Sequence, residues 1–196
     1  MNKLDAQLFE YYEILISDIK LKPHQTHSVA SSIELEIENL KCTPSFFNEV
    51  NNSSPVSLRS RLDELIAYQA WSDFAFQCKE PFIARTNVTT QSYICFVYLK
   101  DAIFEIIARK APDDSISKKC ASYLSFGKVR DFRNAFSHAN WEYSPNFDHL
   151  ECWVLEDAQK KSGPMRNFQV KQYELNFWQT LSRGIGYSIY QSLLDL

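Results

Sequence analysis

Arginine, asparagine and histidine occur close together in segment 129–141, which reads VRDFRNAFSHANW. Histidine titrates near neutral pH and can act as a general acid or base. Arginine presents a permanently charged, planar group that suits phosphate. Cleavage of RNA by its own 2′-hydroxyl group needs these functions and no metal ion. We therefore take Arg133, Asn134 and His138 as the candidate catalytic residues.

The spacing of these residues predicts that they share one face of a helix. At about 100° per residue, Asn134 and His138 fall one turn apart, as do Arg130 and Asn134. The pattern predicts an amphipathic helix with Ser125 as its N-cap, whose polar face is free to line a cleft. The apolar row on the opposite side consists of Phe126, Val129, Phe132, Phe136 and Ala139.

An arginine separated by four to six residues from a histidine is a weak pattern when it is taken alone. Chance is expected to produce about one such pair in every two chains of this composition. The asparagine directly after Arg133, the small or apolar residues before His138 and the helical spacing add weight to the pattern. The alternative interpretation is that Arg133 and His138 only stabilise helix packing.

The segment resembles the signature of the HEPN superfamily. These are small all-helical domains whose motif is an arginine, four to six further residues and a histidine, often with a polar residue directly after the arginine. Arg133, Asn134 and His138 match this motif position by position. The layout is also similar, with a long helix before the motif helix and another helix after it. The similarity to plasmid-borne and phage-borne HEPN proteins covers roughly residues 88–196.

The resemblance implies a metal-independent endoribonuclease that acts as a homodimer, with two Arg-His pairs meeting at the interface. It implies an RNA substrate, no cofactor, and a role in toxin–antitoxin or host-defence systems, with an antitoxin as a further partner. Many HEPN domains are inactive, so the alternative is a module that binds RNA, a nucleotide or a protein. Toxins of this superfamily that are silenced by adenylylation carry a tyrosine two residues after the histidine. This chain has Asn140 there, which puts that route of neutralisation in doubt.

Composition predicts a folded domain without bulk affinity for nucleic acid. Of the 196 residues, 45% are hydrophobic and 14% aromatic, which is typical of a globular protein with a real core. Because the formal net charge is −3, any RNA contact must come from a local patch. We take Lys128 and Arg130 as candidate RNA contacts, with scattered solvent-facing charge as the alternative. The other basic residues near the motif are Arg109, Lys110, Lys118, Lys119 and Arg133.

The five cysteines lie far apart and include no Cys-x-x-Cys pair, which favours a reduced cytoplasmic protein and argues against a structural zinc site. His24 and His27 lie three residues apart, but no further ligand of suitable spacing joins them, so we predict no metal site. The longest apolar run, residues 93–99, is far too short to span a bilayer, so we expect no membrane association.

The elements that must position the motif are predicted to be mainly helices. Apolar periodicity predicts helices over 4–19 and 29–40, a third after residue 58, a long one over 88–110 and a terminal one from residue 172. Strand-like composition over 150–155 and 167–170 predicts a two-stranded hairpin. The expected fold is mainly α, a HEPN-like helical bundle with a small C-terminal β-hairpin between the motif helix and the last helix.

We expect residues 1–80 to form N-terminal helices that pack on the core, either within the same domain or as an appendage, and residues 81–196 to form the HEPN-like core. If the long helix packs antiparallel to the motif helix, Asp101 and Glu105 are the carboxylates expected near the motif. Solvent-facing charges are the alternative for both. Four aromatic residues of the C-terminal part are expected in the core: Trp153, Phe168, Phe177 and Trp178.

Overall fold

The computed structural model of the chain is mainly helical and contains a small three-stranded antiparallel sheet. It describes residues 11–52, 63, 67, 86, 89–146, 148–156 and 162–194. No helix in these described ranges is long and apolar enough to cross a membrane. The boundary near residue 80 and the first turns of the predicted N-terminal helix lie outside the described residues. So does the predicted third helix, apart from Asp63 and Ala67.

The described residues 11–52 contain three α-helices: α1 (Tyr12–Ser17), α2 (Val29–Lys41) and α3 (Pro44–Asn52). A 3₁₀ helix, Pro23–Ser28, precedes α2. The apolar positions of α2 recur every three or four residues and are buried, which confirms the predicted second helix. They belong to the same hydrophobic core as the residues of the C-terminal helices. The buried positions are Val29, Ile33, Ile37 and Leu40.

The long helix before the motif, α4, departs from regular α-helical geometry. It consists of π-helical segments Tyr93–Tyr98 and Lys100–Phe104, followed by the α-helical segment Glu105–Lys110. The helix therefore forms where the apolar period predicts it, but with i→i+5 hydrogen bonding along much of its length. π-Helical turns are rare and occur frequently near functional sites. The two short helices α5 (Ile116–Ser125) and α6 (Gly127–Ser137) follow it.

The sheet is a meander with the strand order β1-β2-β3. Its strands are β1 (Trp141–Tyr143), β2 (His149–Leu155) and β3 (Met165–Lys171). The predicted hairpin corresponds to β2 and β3, which pair from His149 opposite Lys171 to Leu155 opposite Met165. The sequence did not reveal β1, because three residues are too few to show an alternating pattern. The terminal helix, α7 (Gln172–Leu194), starts directly after β3.

Aromatic side chains from three helices meet in the core. The ring of Phe132 on α6 lies 5.5 Å from that of Phe96 on α4 and 5.7 Å from that of Trp178 on α7. Phe177 and Trp178 are buried and Phe168 packs against the core, as expected. Trp153 differs, because alternation along β2 places it on the half-buried outer face of the sheet, opposite the face that carries Cys152 and Val154.

The start of the motif helix differs from the prediction. Ser125 is the last residue of α5 and its hydroxyl donates to the carbonyl oxygen of Ala121, so it is not the N-cap of α6. The N-cap is Phe126, which makes no side-chain capping bond. It was predicted to belong to the buried apolar row, but it is 59% exposed because it lies before the first turn of α6. The chain turns between the two helices at Gly127, whose φ of 57° favours glycine.

The N-terminus of α5 is capped from a distant helix. The two carboxylate oxygens of Glu36 on α2 accept hydrogen bonds from the backbone N–H groups of Ile116 at 3.1 Å and Ser117 at 2.7 Å. Ser115 caps the same end locally by accepting from the N–H of Lys118. The carboxylate also complements the positive end of the helix dipole. Glu36 therefore fixes α5, the helix directly before the motif helix, to α2.

Replacing Glu36 with alanine removes two charge-assisted hydrogen bonds and leaves two N–H groups unsatisfied. We expect Glu36→Ala to lower the free energy of unfolding by about 1–2 kcal/mol, measured by urea denaturation. Glu36→Gln, which retains one acceptor oxygen, should lose less. The exposed Glu38 on the same helix is the matched control, and Glu38→Ala should change stability by less than about 0.5 kcal/mol. Equal losses in the two alanine variants would contradict a capping role.

Candidate functional site

The motif helix ends at Ser137, so His138 is the C-cap of α6 and not part of its last turn. Ala139 follows with a φ of 56°, and its N–H donates to the carbonyl oxygen of Phe136. The N–H of Asn140 donates to the carbonyl oxygen of Ala135 at 2.8 Å. These two bonds define a Schellman motif. His138 is therefore positioned by the helix stop, and the last member of the predicted apolar row, Ala139, lies beyond the helix.

Arg133 is half-buried and hydrogen bonded to its neighbour in the sequence. Its Nη2 atom donates to Oδ1 of Asn134 at 3.3 Å, so Asn134 orients the arginine. The Nη1 atom is buried and has no hydrogen-bond partner among the described residues. Burial lowers the pKa of the Arg133 guanidinium, and the charge of Asp101 partly offsets this effect. A guanidinium keeps its charge in proteins, so Arg133 retains an unpaired, charged donor.

The carboxylates of α4 lie near Arg133, as the sequence predicted. Asp101 and Glu105 both act electrostatically on the guanidinium. Both also accept hydrogen bonds from Lys100, whose Nζ lies 2.7 Å from Oδ1 of Asp101 and 2.9 Å from Oε1 of Glu105. Burial acts to lower the pKa of Lys100, but these bonds outweigh it and raise the pKa. The two acids are largely exposed, so the alternative of solvent-facing charges holds as well.

A cleft of about 530 Å³ lies between α6 and the end of the β2–β3 hairpin. Asn134 and His138 both line it, so the structure brings these two predicted site residues together. Arg133 is not among its lining residues in the described part of the chain. The guanidinium lies instead on the side of α6 that faces Lys100, Asp101 and Glu105. Within one protomer His138 thus lines the cleft and Arg133 does not, although Arg133 contacts Asn134, which does.

Sequence reasoning missed several residues of this cleft. Asp131 lines it three residues before Asn134, and this helical spacing was the signal that could have identified it. Asn140 lines it from the Schellman turn. The hairpin residues Val154, Leu155 and Met165 complete the wall, and only the tertiary packing of the hairpin against α6 reveals them.

Arg166 links the hairpin to the motif helix. Its Nη2 atom is ion-paired with Oδ2 of Asp131, and its guanidinium carbon lies 5.9 Å from the centroid of the Phe168 ring. The pair holds β3 next to α6 at the edge of the cleft. Arg166 is about half-exposed and was not identified from the sequence.

The two predicted RNA contacts have different surroundings. Arg130 is exposed and near enough to act electrostatically on Arg133. Lys128 is ion-paired with Glu174 of α7, with 2.6 Å between Nζ and Oε1. Other cations of the predicted patch are paired as well. Arg109 and Lys110 pair with Glu49, and Lys118 pairs with Asp113.

A second titratable cluster lies at the other end of the hairpin. The imidazole of His149 is held between two carboxylates, with Nδ1 2.6 Å from Oδ1 of Asp148 and Nε2 2.8 Å from Oε1 of Glu151. Ser144 donates to the same oxygen of Asp148, and Gln169 donates to the same oxygen of Glu151. The hydrogen bond to Glu151 is the main cause of a raised pKa of His149. The hydrogen bond from Ser144 is the main cause of a lowered pKa of Asp148.

Comparison of the chain with family models, with curated proteins and with solved structures finds no match in any of the three. Within the described residues, no group of three or more histidine, cysteine or carboxylate side chains could hold a metal ion. The function must therefore be inferred from the geometry of the site and from its motif.

Ala139 occupies a left-handed backbone conformation that alanine adopts at a cost of about 1 kcal/mol or more. We therefore expect Ala139→Gly to raise the free energy of unfolding by about 1 kcal/mol in urea denaturation. Ala108→Gly in the α-helical segment of α4 is the control, and should lower it by about 1 kcal/mol. A loss of stability in both variants would mean that the helix stop after His138 does not have this geometry.

The His149 cluster should make stability depend on pH. Because the pKa of His149 is raised, its stabilising contribution is complete below the ordinary imidazole pKa of 6.5 and is lost as pH rises through the raised value. Because the pKa of Asp148 is lowered, its contribution is complete above the ordinary carboxyl value of 3.8. His149→Gln should therefore lower the melting temperature more at about pH 5.5 than at about pH 9.

Lys171 lies opposite His149 on the neighbouring strand, and its positive charge opposes protonation of the imidazole. In Lys171→Met, the melting temperature at about pH 5.5 should therefore exceed that at about pH 9 by more than it does in the wild-type chain. The exposed His24 provides a control, and His24→Gln should show no such dependence. A destabilisation by His149→Gln that is equal at both pH values would rule out the charged pairing.

Proposed function

We propose that this chain is a metal-independent endoribonuclease of HEPN type that acts as a homodimer, with a role as a toxin or in host defence. The observation that carries the proposal is the hydrogen bonding and exposure of the three motif residues. Arg133 is oriented by Asn134 and keeps a buried, charged donor without a partner, while His138 is exposed at the helix end and lines a cleft together with Asn134.

The proposed reaction is attack of a ribose 2′-oxygen on the adjacent phosphorus. The 2′-hydroxyl proton passes to a base, the bond from phosphorus to the 5′-oxygen breaks, and an acid protonates the departing oxygen. The products are a 2′,3′-cyclic phosphate and a 5′-hydroxyl. His138 would act as base or acid, Arg133 would stabilise charge on the phosphorane, and Arg130 with Lys128 would contact the RNA backbone.

The dimeric part of the proposal is supported by the cleft of one protomer, which is lined by His138 but not by Arg133. A site that contains both functions then requires a second copy of the chain, which would bring another Arg133 and His138 to the same phosphate. An unpaired guanidinium nitrogen is costly when it is buried. Rotation of the Arg133 side chain toward a phosphate or a partner residue would remove this cost.

A catalytically silent module that binds RNA, a nucleotide or a protein through the same surface is the alternative. One observation favours it: no described residue forms a hydrogen bond with the His138 imidazole. Catalytic bases are usually oriented by a further group. Binding without cleavage needs no such orientation.

If the proposal is correct, the purified chain should cleave single-stranded RNA in the presence of EDTA and leave 2′,3′-cyclic phosphate ends. His138→Ala should reduce the rate by about 100-fold or more, because the proton transfer step is lost. Cleavage is measured on a 5′-labelled RNA of mixed sequence, with the ends identified by mass spectrometry. His24→Ala, at another exposed histidine, should cleave at the wild-type rate.

Cleavage that stops with EDTA, or that survives His138→Ala, would overturn the proposal. A wild-type chain that binds the RNA without cutting it, and that loses binding in His138→Ala, would establish the silent module instead. Loss of thermal stability in both Arg133→Ala and His138→Ala, without any effect on RNA, would indicate a structural role only.

A further inference from the structure

A second cleft, of about 850 Å³, lies at the far end of the hairpin from His138. It is formed where β2 begins, β3 ends and α7 starts, and its lining includes His149, Lys171 and Tyr173. The hairpin runs six residue steps from the His149–Lys171 pair to the Leu155–Met165 pair. At about 3.4 Å per step, the two clefts lie about 20 Å apart along the sheet.

Tyr173 presents an aromatic surface at this cleft. It is 51% exposed, so part of its ring is open to a ligand. The Nζ atom of Lys171 lies 6.0 Å from the ring centroid. This ammonium has no carboxylate partner among the described residues, so it is available to an anion next to the ring. An exposed ring with a neighbouring cation is the combination that binds a nucleobase and its phosphate.

Side-chain amides supply polar groups beside the ring. Nε2 of Gln172 donates to Oδ1 of Asn176 at 3.1 Å, one turn along α7. This bond leaves an amide oxygen on Gln172 and an amide N–H group on Asn176 available within the described part of the chain, and both residues line the cleft. A donor and an acceptor side by side match the edge of a base.

The carboxylate of Asp148 at this cleft is engaged by its neighbours. Asp148 accepts one hydrogen bond from Ser144 and is paired with His149, which reduces its repulsion of a phosphate. The first N–H of the helix end is satisfied by Glu174, which accepts from the N–H of Lys171 at 3.0 Å. Recognition at this cleft therefore rests on the ring, the amides and the Lys171 ammonium, and not on the helix terminus.

We propose that this cleft is a second binding site for single-stranded RNA, in which one base stacks on Tyr173, the Gln172–Asn176 pair contacts its edge and Lys171 binds an adjacent phosphate. The proposal rests on the ribonuclease function proposed above and deepens it. A strand that occupies both clefts spans the outer face of the sheet, where Trp153 and Asn167 lie between them. RNA long enough to span about 20 Å is then held more tightly than a short fragment.

The test measures binding of a 5′-fluorescein-labelled, 20-nucleotide single-stranded RNA of mixed sequence by fluorescence anisotropy. All proteins carry His138→Ala and the buffer contains EDTA, so that the RNA stays intact. Tyr173→Ala should raise the Kd by about 10-fold, whereas Tyr173→Phe, which keeps the ring, should stay within about twofold. Lys171→Ala should lower the slope of log Kd against log salt by about 0.7.

Tyr93 is the matched control, because it is also half-exposed but lies on α4 away from the cleft. Tyr93→Ala should bind with an unchanged Kd, and circular dichroism should show that all variants are folded. An unchanged Kd in Tyr173→Ala, an equal loss in Tyr173→Phe, or no binding by the parent protein overturns the second site.

The two proposals fail separately. If the wild-type chain does not cleave RNA but Tyr173→Ala still weakens binding while Tyr173→Phe does not, the ribonuclease proposal fails and the second site stands. If the wild-type chain cleaves RNA and Tyr173→Ala binds as the parent does, the second site fails and the ribonuclease proposal stands.

Discussion

The packing of three aromatic rings, one from each of α4, α6 and α7, is the interaction on which the rest of the structure depends. Phe96, Phe132 and Trp178 are fully buried and meet at edge-to-face and tilted angles that suit aromatic pairs. The indole N–H of Trp178 donates to the hydroxyl of Tyr123 at 2.7 Å, so the polar atom of this buried ring is satisfied. Because Phe132 lies on the motif helix, this contact sets the rotation of α6 about its axis.

The rotation of α6 determines which neighbouring elements its polar side chains contact. Arg133 lies one residue after Phe132 and lies toward the charged residues of α4, whereas Asn134 and Asp131 reach the cleft beside the hairpin. The Schellman turn then carries His138 out of the helix and leads the chain into β1. Stacking of Trp141 on Phe136, at 5.4 Å between centroids, holds the sheet against the same helix. The packing of Phe132 thus determines both the surroundings of Arg133 and the side of α6 that lines the cleft.

Much of the fold could be predicted from the sequence. The helices α2, α6 and α7 follow from apolar periods of three to four, and the β2–β3 hairpin follows from strand-like composition. The local residues of the site, Arg133, Asn134 and His138, were likewise visible from types and spacing. Features that depend on distant contacts were not. The Glu36 cap joins residues 80 positions apart, and Arg166 reaches Asp131 across 35 positions. In the His149 cluster, Asp148, His149 and Glu151 are close in sequence, and only the contact from Gln169 depends on the register of two strands.

The π-helical geometry of α4 changes the directions in which side chains at its C-terminal end project, relative to those at its N-terminal end. A π-helical turn contains one more residue than an α-helical turn. Each π-helical turn therefore rotates the side chains that follow it about the helix axis, as the insertion of one residue would. One residue corresponds to about 100° of rotation in an α-helix. The carbonyl of Cys95 within the first π segment accepts from the hydroxyl of Ser182 on α7, which ties this part of the helix to the core. Deleting one residue there to restore α-helical geometry would turn Lys100, Asp101 and Glu105 about the helix axis relative to Phe96, and the buried Ile103 and Phe104 would turn with them. The charges that surround Arg133 therefore depend on the rotational phase of α4, which is a property of the whole helix and not of any single side chain.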